Sequence, residues 1–238
     1  GARQDVPALT ATARDHGAYV LWDASHAVGS IDLRFDEWGV DIAVGCTYKY
    51  CNSGPGSPAW MFVRSDLHDT LRTPIDGWFG QKDQFTMGPT FERASGMRGY
   101  QIASPSIVGL TAVDESMSII AEAGMDRIEA KCAEGTSFMI DLFDQWLGPL
   151  GFGLDTPRSA EHRGGHPSPT HPGADKISGG MRQIANVIPD YRQPNTIRVA
   201  VAPLYTSFEE MYVGLEKTAD LVSSGRHRDV AVIEGGVT

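Results

Sequence analysis

Apolar and polar positions follow one another along this chain in a way that predicts a mixed α/β fold. Residues 6–16 (VPALTATARDH) carry apolar side chains at helical spacing and run into Gly17, a residue suited to closing a helix. AYVLWDAS is a short apolar run that reads as a buried strand. DLRFDEWGV is polar, with Trp38 and Val40 expected to face inward, and DIAVGCTYKY reads as a second strand. Helix, strand, short crossover and strand is the rhythm of a sheet with parallel strands. Residues 52–58 (NSGPGSP) form a turn cluster, and AWMFV is a third strand candidate.

Residues 73–104 are rich in Gly, Pro and aromatic residues and show little periodicity; long irregular stretches of this kind are usually functional or lie at an interface. From 105 to 147 the pattern is helical. Ile107, Leu110, Val113, Met117 and Ile120 recur at three- and four-residue steps, and a second amphipathic run covers 125–146. Residues 155–175 are rich in Pro, Gly and His and poor in apolar residues. TIRVAV (196–201) predicts a strand, 207–223 an amphipathic helix, and the tail from Gly225 is weakly patterned. No internal repeat is visible. A domain change is expected near residue 130.

Composition narrows the function classes. The 238 residues are 41% hydrophobic and 21% charged, as in ordinary globular proteins. The net charge of -10, with no Lys/Arg cluster, argues against a nucleic-acid partner and reads as solubility. No apolar run approaches the roughly 20 residues that span a bilayer, so no membrane association is expected. Cys46, Cys51 and Cys132 are sparse and lack CxxC spacing, which argues against a disulfide framework or a zinc site; no metal is expected, and the location reads as cytoplasmic. No signal peptide is visible, although Gly1 and the strand pattern already present at residue 18 do not look like a true start.

Two residues stand at strand ends. Asp23 closes YVLWD, and ligands of open parallel sheets collect at the carboxyl ends of strands. The plainer reading is a cap for the following turn. Lys49 closes the second strand between Tyr48 and Tyr50. A lysine desolvated there suits Schiff-base chemistry, while a surface lysine reaching back to solvent is the plainer reading. Together they make a pattern. A strand-end carboxylate followed 26 residues later by a strand-end amine is what pyridoxal-phosphate (PLP) chemistry requires.

The surrounding blocks are specific. WDASHAVG followed by DIAVGCTYKYCNSGPGSPAWMFV closely resembles the kynureninase pattern WD-x-x-H-x-x-G … GCTYKY-x-N-x-GPGSPA. GWFGQKDQFTM, MRGYQIASPSI, RGGHPSPTHP and IRVAVAPLYTSFEE resemble later blocks of that family, in the same order along nearly the whole chain.

The resemblance implies an α/β chain with the type I PLP-dependent transferase fold: an incomplete large domain over 1–130 and a small α+β carboxy-terminal domain over 131–238. It implies hydrolysis of the Cβ–Cγ bond of L-kynurenine or 3-hydroxykynurenine in tryptophan catabolism, with pyridoxal 5'-phosphate as cofactor. Lys49 matches the Schiff-base lysine, Asp23 the partner of the pyridine nitrogen, His26 a histidine lining the cofactor, and Tyr48 a tyrosine reaching the phosphate and moving protons. Trp78 and Ser104 match positions that approach the phosphate from a neighbouring subunit. Arg198 matches the arginine that clamps the substrate carboxylate, a role suited to a bidentate guanidinium. Plainer readings are a core histidine for His26, loop packing for Trp78, and the solvent face of an edge strand for Arg198. Ser104 stands where relatives usually carry Thr or Asn, Ala24-Ser25 replaces the more usual Leu-Ala, and Cys51 precedes Asn52. The family is also longer; its amino-terminal part carries the ring-stacking aromatic and a phosphate-binding threonine, so a homodimer mate or a separate amino-terminal chain is the expected partner. The rival readings are a related PLP lyase such as a cysteine desulfurase, and a non-catalytic structural subunit.

Overall fold

A computed structural model describes residues 1–231. The chain divides into two compact units, one of Asp5–Val28 with Leu33–Glu122 and one of Gly1–Gln4, Gly29–Asp32 and Ala123–Thr238. The main division therefore falls at Ala123, several residues before the expected change near 130. It coincides with Gly124, whose φ of 85° lies in the left-handed region that glycine tolerates and which separates the two helical runs of the pattern.

In the first unit, helix α1 spans Val6–Asp15. Asp5 caps it by accepting from the Ala8 amide at 3.0 Å, and Gly17, at φ 70°, ends it. Strands β1 (Leu21–Asp23), β2 (Ile42–Gly45) and β3 (Trp60–Val63) form a sheet in that order. β1 runs parallel to β2 and β3 antiparallel to it. Val40, Ala43, Cys51 and Val63 are buried in and around it. Asp41, only 1% exposed, ties the sheet to the chain around it: it pairs with Arg64 at 2.8 Å and accepts the Val20 amide at 3.3 Å. A buried carboxylate needs such partners to offset its desolvation.

β1 is not the buried strand its composition predicts. It is the sheet's edge among the described residues, and Leu21 is 58% exposed. The helical stripe of 107–120 is also only partly buried. In helix α2 (Ile107–Ala123) Ile120 is inside, while Ile107, Leu110 and Met117 face solvent. Apolar periodicity reports that a face wants cover, not that this chain supplies it.

In the second unit, helix α3 (Met125–Leu142) runs on into a π-helical turn over Phe143–Leu147. Strands β4 (Gly153–Leu154), β5 (Pro169–Thr170), β6 (Asp190–Arg192) and β7 (Thr196–Arg198) form an antiparallel sheet ordered β4-β5-β7-β6. Helix α4 (Ala174–Gly180), continued by a π-helical turn to Ala185, lies in a stretch with weak periodicity. Helix α5 (Phe208–Ser223) starts at the capping box of Ser207 and Glu210. Phe143, Leu147, Ile177, Met181, Ile197, Val201, Met211 and Leu221 make one core. Gly135 lets α3 approach α5: a Cβ there would lie 2.9 Å from Met211 Cε. Of the expected strand 196–201 only the first half pairs within the sheet. Its continuation is held by the Val199 and Val201 amides donating to Pro167 and Gly165. No helix among the described residues is long and apolar enough to cross a membrane.

Candidate active site at the strand ends

Parallel strands deliver their carboxyl ends to one side of a sheet. Asp23, the last residue of β1, is in register with Val44 of β2, and the Ala24 amide donates to the Val44 carbonyl at 2.8 Å. β2 ends at Gly45, so Lys49 lies four residues beyond the strand instead of closing it, and Asp23 and the segment from Cys46 to Lys49 leave the sheet together. Gly45 is required at the exit, since a Cβ would lie 2.6 Å from the Trp60 ring.

The segment after β2 is tightly held. Thr47 Oγ1 donates to the Pro58 carbonyl at 2.8 Å, the Ser53 amide to the Thr47 carbonyl at 3.1 Å, and the Asn52 amide to the Lys49 carbonyl at 3.0 Å. Asn52 adopts φ 61°, a conformation Asn accepts more readily than most residues. Tyr50 and Cys51 are buried and anchor the turn, leaving Lys49 half-buried and Tyr48 exposed. Lys49 Nζ stands 5.7 Å from the centre of the Tyr48 ring.

Electrostatics bind the group together. The Ser25 hydroxyl and amide, with the positive fields of Lys49 and His26 added, hold the Asp23 carboxyl below the usual carboxylate range. Cys46, partial desolvation and Asp23 push the Tyr48 phenol up, so it keeps its proton at neutral pH. Asp23 also does what the plainer reading expected. Its Oδ1 accepts the Ser25 amide at 2.9 Å and so caps the next turn. The two roles coexist, because a carboxylate has more than one acceptor site. His26 is exposed rather than a core residue.

Trp78 and Ser104 lie on the irregular segment. Trp78 is 47% exposed, donates from Nε1 to the Gln84 carbonyl at 2.9 Å, and meets Phe79 and Phe85 edge-on. It lines a cavity of about 340 Å³ with Asp76, Gln81, Asp83 and Phe91. A Cβ on Gly77 would meet the Ile102 carbonyl at 2.0 Å, so this glycine lets the segment of Trp78 run against the one that leads to Ser104, itself exposed. Arg198 belongs to the second unit. It is half-buried on β7, which lies inside the sheet between β5 and β6, and so does not sit on an edge strand. It pairs with Asp190, its register partner on β6, while Arg192 reaches the same carboxylate oxygen at 3.0 Å. Ser25 and Asp190 are the supporting residues that pattern reading passed over. Their signals are weak: a D-x-S spacing after a strand and a D-x-R spacing before one.

Residues 1–158 match the aminotransferase class-V family, and the chain belongs to it. The fold agrees. The chain superposes on the apo cysteine desulfurase of Thermococcus onnurineus NA1 with a TM-score of 0.78 at 19% identity, over 94% of this chain and 57% of that one. It superposes on a C-DES variant with glycine covalently linked to its PLP cofactor with a TM-score of 0.76 at 18% identity, over 91% and 56%. The fold is that of the type I PLP-dependent enzymes. Within this class, residues 128–217 match the kynureninase C-terminal domain. Curated kynureninases from Pseudomonas fluorescens and Geobacillus thermodenitrificans are 34% and 39% identical over 93% and 87% of the chain. The chain is thus similar to the carboxy-terminal part of a kynureninase, and it spans 53% and 49% of the length of these two relatives.

Proposed function

We propose that this chain forms part of a PLP-dependent hydrolase that cleaves the Cβ–Cγ bond of L-kynurenine or 3-hydroxykynurenine, giving anthranilate or 3-hydroxyanthranilate and L-alanine. The observation that carries the reading is the placement of Asp23 at the end of β1 and of Lys49 in the turn just beyond β2, its parallel neighbour. That donor set fits pyridoxal phosphate: an amine for its aldehyde carbon and a carboxylate for its protonated ring nitrogen. The cofactor, when bound, supplies an electron sink next to the bond that breaks.

The remaining work falls to side chains. Lys49 Nζ anchors the cofactor and then carries protons, and the Tyr48 hydroxyl beside it, protonated at neutral pH, is a second proton carrier. His26 would line the cofactor, and Trp78 and Ser104 would approach its phosphate. A water molecule adds to the substrate γ-carbonyl. Arg198 receives the substrate α-carboxylate. Arg198 and Arg192 both reach the Asp190 carboxylate, which holds two guanidiniums side by side. The desulfurase reading needs a mobile, reactive cysteine. Cys51 and Cys132 are buried instead, and burial pushes both thiols up to about 11.

The reading further implies a cytoplasmic role in tryptophan catabolism and the route to NAD, and a homodimer mate or a separate amino-terminal chain as partner. Borohydride reduction in the presence of PLP, followed by peptide mapping, is the test. The label is expected on Lys49 and absent in Lys49→Ala, with kynurenine turnover lost in any complete assembly that contains the variant. A label on a different lysine would overturn the assignment. Absence of any label in the complete assembly would favour a purely structural subunit.

A further inference from the structure

Asp23 is not positioned by its own strand alone. Its Oδ1 accepts the Ser25 amide at 2.9 Å, and the Ser25 side chain helps hold the carboxyl below its usual range. The Ser25 hydroxyl is fixed from the neighbouring strand: the Cys46 amide, just beyond β2, donates to Ser25 Oγ at 3.2 Å. The Cys46 thiol adds a weak bond to the Ser25 carbonyl at 3.8 Å. A hydroxyl carries a single proton. With a lone pair of Oγ engaged by Cys46, that proton is directed at Asp23. A chain of donors thus runs from the end of β2 through Ser25 to the carboxylate at the end of β1. The other titratable groups that act on or feel Asp23 are His26 on its own turn and Tyr48 and Lys49 beyond β2.

We propose that Ser25 is a positioning residue that acts through Asp23: locked by the Cys46 amide, it fixes the plane of the carboxylate and occupies part of its acceptor capacity, so that the rest meets a cofactor ring nitrogen in one orientation. The inference rests on the cofactor reading above and deepens it. A carboxylate held this way rotates less than a free one and is a weaker base, so the strength of its bond to the ring proton is set by a side chain that never touches the ring. Cys46 contributes mainly through its main chain, so the geometry survives changes of its side chain and depends on the side chain of Ser25.

The test is a titration of the full chain carrying ¹³C-labelled aspartate carboxyls, with the Asp23 signal assigned by its loss in Asp23→Asn. Ser25→Ala is expected to raise the Asp23 midpoint, the direction that follows from losing the side chain that helps hold the carboxylate low. Ser25→Thr keeps the hydroxyl and is expected to restore it. Ser25→Cys, a weaker donor, is expected to give a smaller shift of the same sign, and it serves if the alanine variant does not fold. In a second arm, the ring ¹⁵N resonance of bound labelled PLP is expected to move in Ser25→Ala and return in Ser25→Thr. A Lys49 label in the wild-type chain with an unmoved Asp23 midpoint in the variants sinks the role of Ser25 alone. A complete assembly containing the wild-type chain that takes no label at Lys49 sinks the cofactor reading, and the purpose assigned to Ser25 falls with it.

Discussion

Asp23 divides its acceptor sites between a local turn and, in the proposed enzyme, a cofactor. Asp23→Asn separates the two demands. The amide oxygen can still accept from the Ser25 N–H, so the turn after β1 should persist. It cannot hold a proton on a ring nitrogen, so the electron sink weakens. Turnover is expected to fall far more than PLP content, measured by kinetics and by absorbance of the same samples; near-normal turnover with cofactor bound would contradict the role. Arg198 is bound up with its neighbours in a different way. Its pairing with Asp190 holds the guanidinium across β6 and β7. Arg198→Ala is expected to raise KM for kynurenine strongly and leave PLP binding intact, since loss of one partner from a buried carboxylate–guanidinium contact costs on the order of 2–5 kcal/mol. The same change leaves Asp190 with Arg192 as its remaining ion-pair partner among the described residues, so thermal stability belongs in the same experiment. An unchanged KM would return Arg198 to a structural role.

At the scale of elements, α4 shows how a helix can be hidden in a sequence. Its segment ADKISGG offers one large apolar residue and two glycines, a poor helical signature. Tertiary contacts make up the difference: Ile177 and Met181 are fully buried in the core of the second unit. The entry to this helix is set by His171. Its Nδ1 accepts the Gly173 amide at 2.9 Å, and its ring lies 4.7 Å from that of Phe152. Desolvation, with a smaller push from His227, lowers the His171 pKa from its ordinary value. The fold therefore favours neutral His171, and the unfolded chain binds more protons than the folded one between the two values. This contribution to stability is complete above the unfolded pKa of about 6.5 and is lost as pH falls from there through the lowered folded value. Unfolding midpoints measured across that window should decline toward acid, and His171→Asn, whose side-chain oxygen can still accept from the Gly173 amide, should flatten the decline. An unaltered profile in the variant would place the acid sensitivity elsewhere.

The whole molecule leaves much apolar surface open among its described residues. β1 has an unpaired edge with Leu21 exposed, Val108 of α2 is 85% exposed, and Phe85 in the irregular segment is 74% exposed. Open strand edges and apolar patches of this kind associate or aggregate unless covered. The isolated chain is therefore expected to bind PLP weakly, to turn over no kynurenine, and to run on size exclusion with light scattering well above 25.7 kDa or only with a second polypeptide. A stable, active monomer of that mass would refute the need for a partner.

The sequence by itself determined the helices with strong 3.6-residue periodicity and the parallel approach of two short apolar strands, with Asp23 at the end of the first and Lys49 in the turn beyond the second. These rest on local patterns, which backbone geometry reads within a few residues. The blocks around them also carried the family, because side chains that meet one ligand leave their spacing in the chain. Only the tertiary structure decided which apolar residues are buried. Leu21 and Ile107 belong to convincing apolar runs, yet both face outward, because burial depends on a neighbour that no local pattern specifies. It alone decided that Arg198 is matched to Asp190 eight residues earlier, since strand register fixes that pairing. Likewise the Ser25 side chain is held by the Cys46 amide just beyond β2, a link between positions far apart in the chain that exists only once β1 and β2 lie side by side.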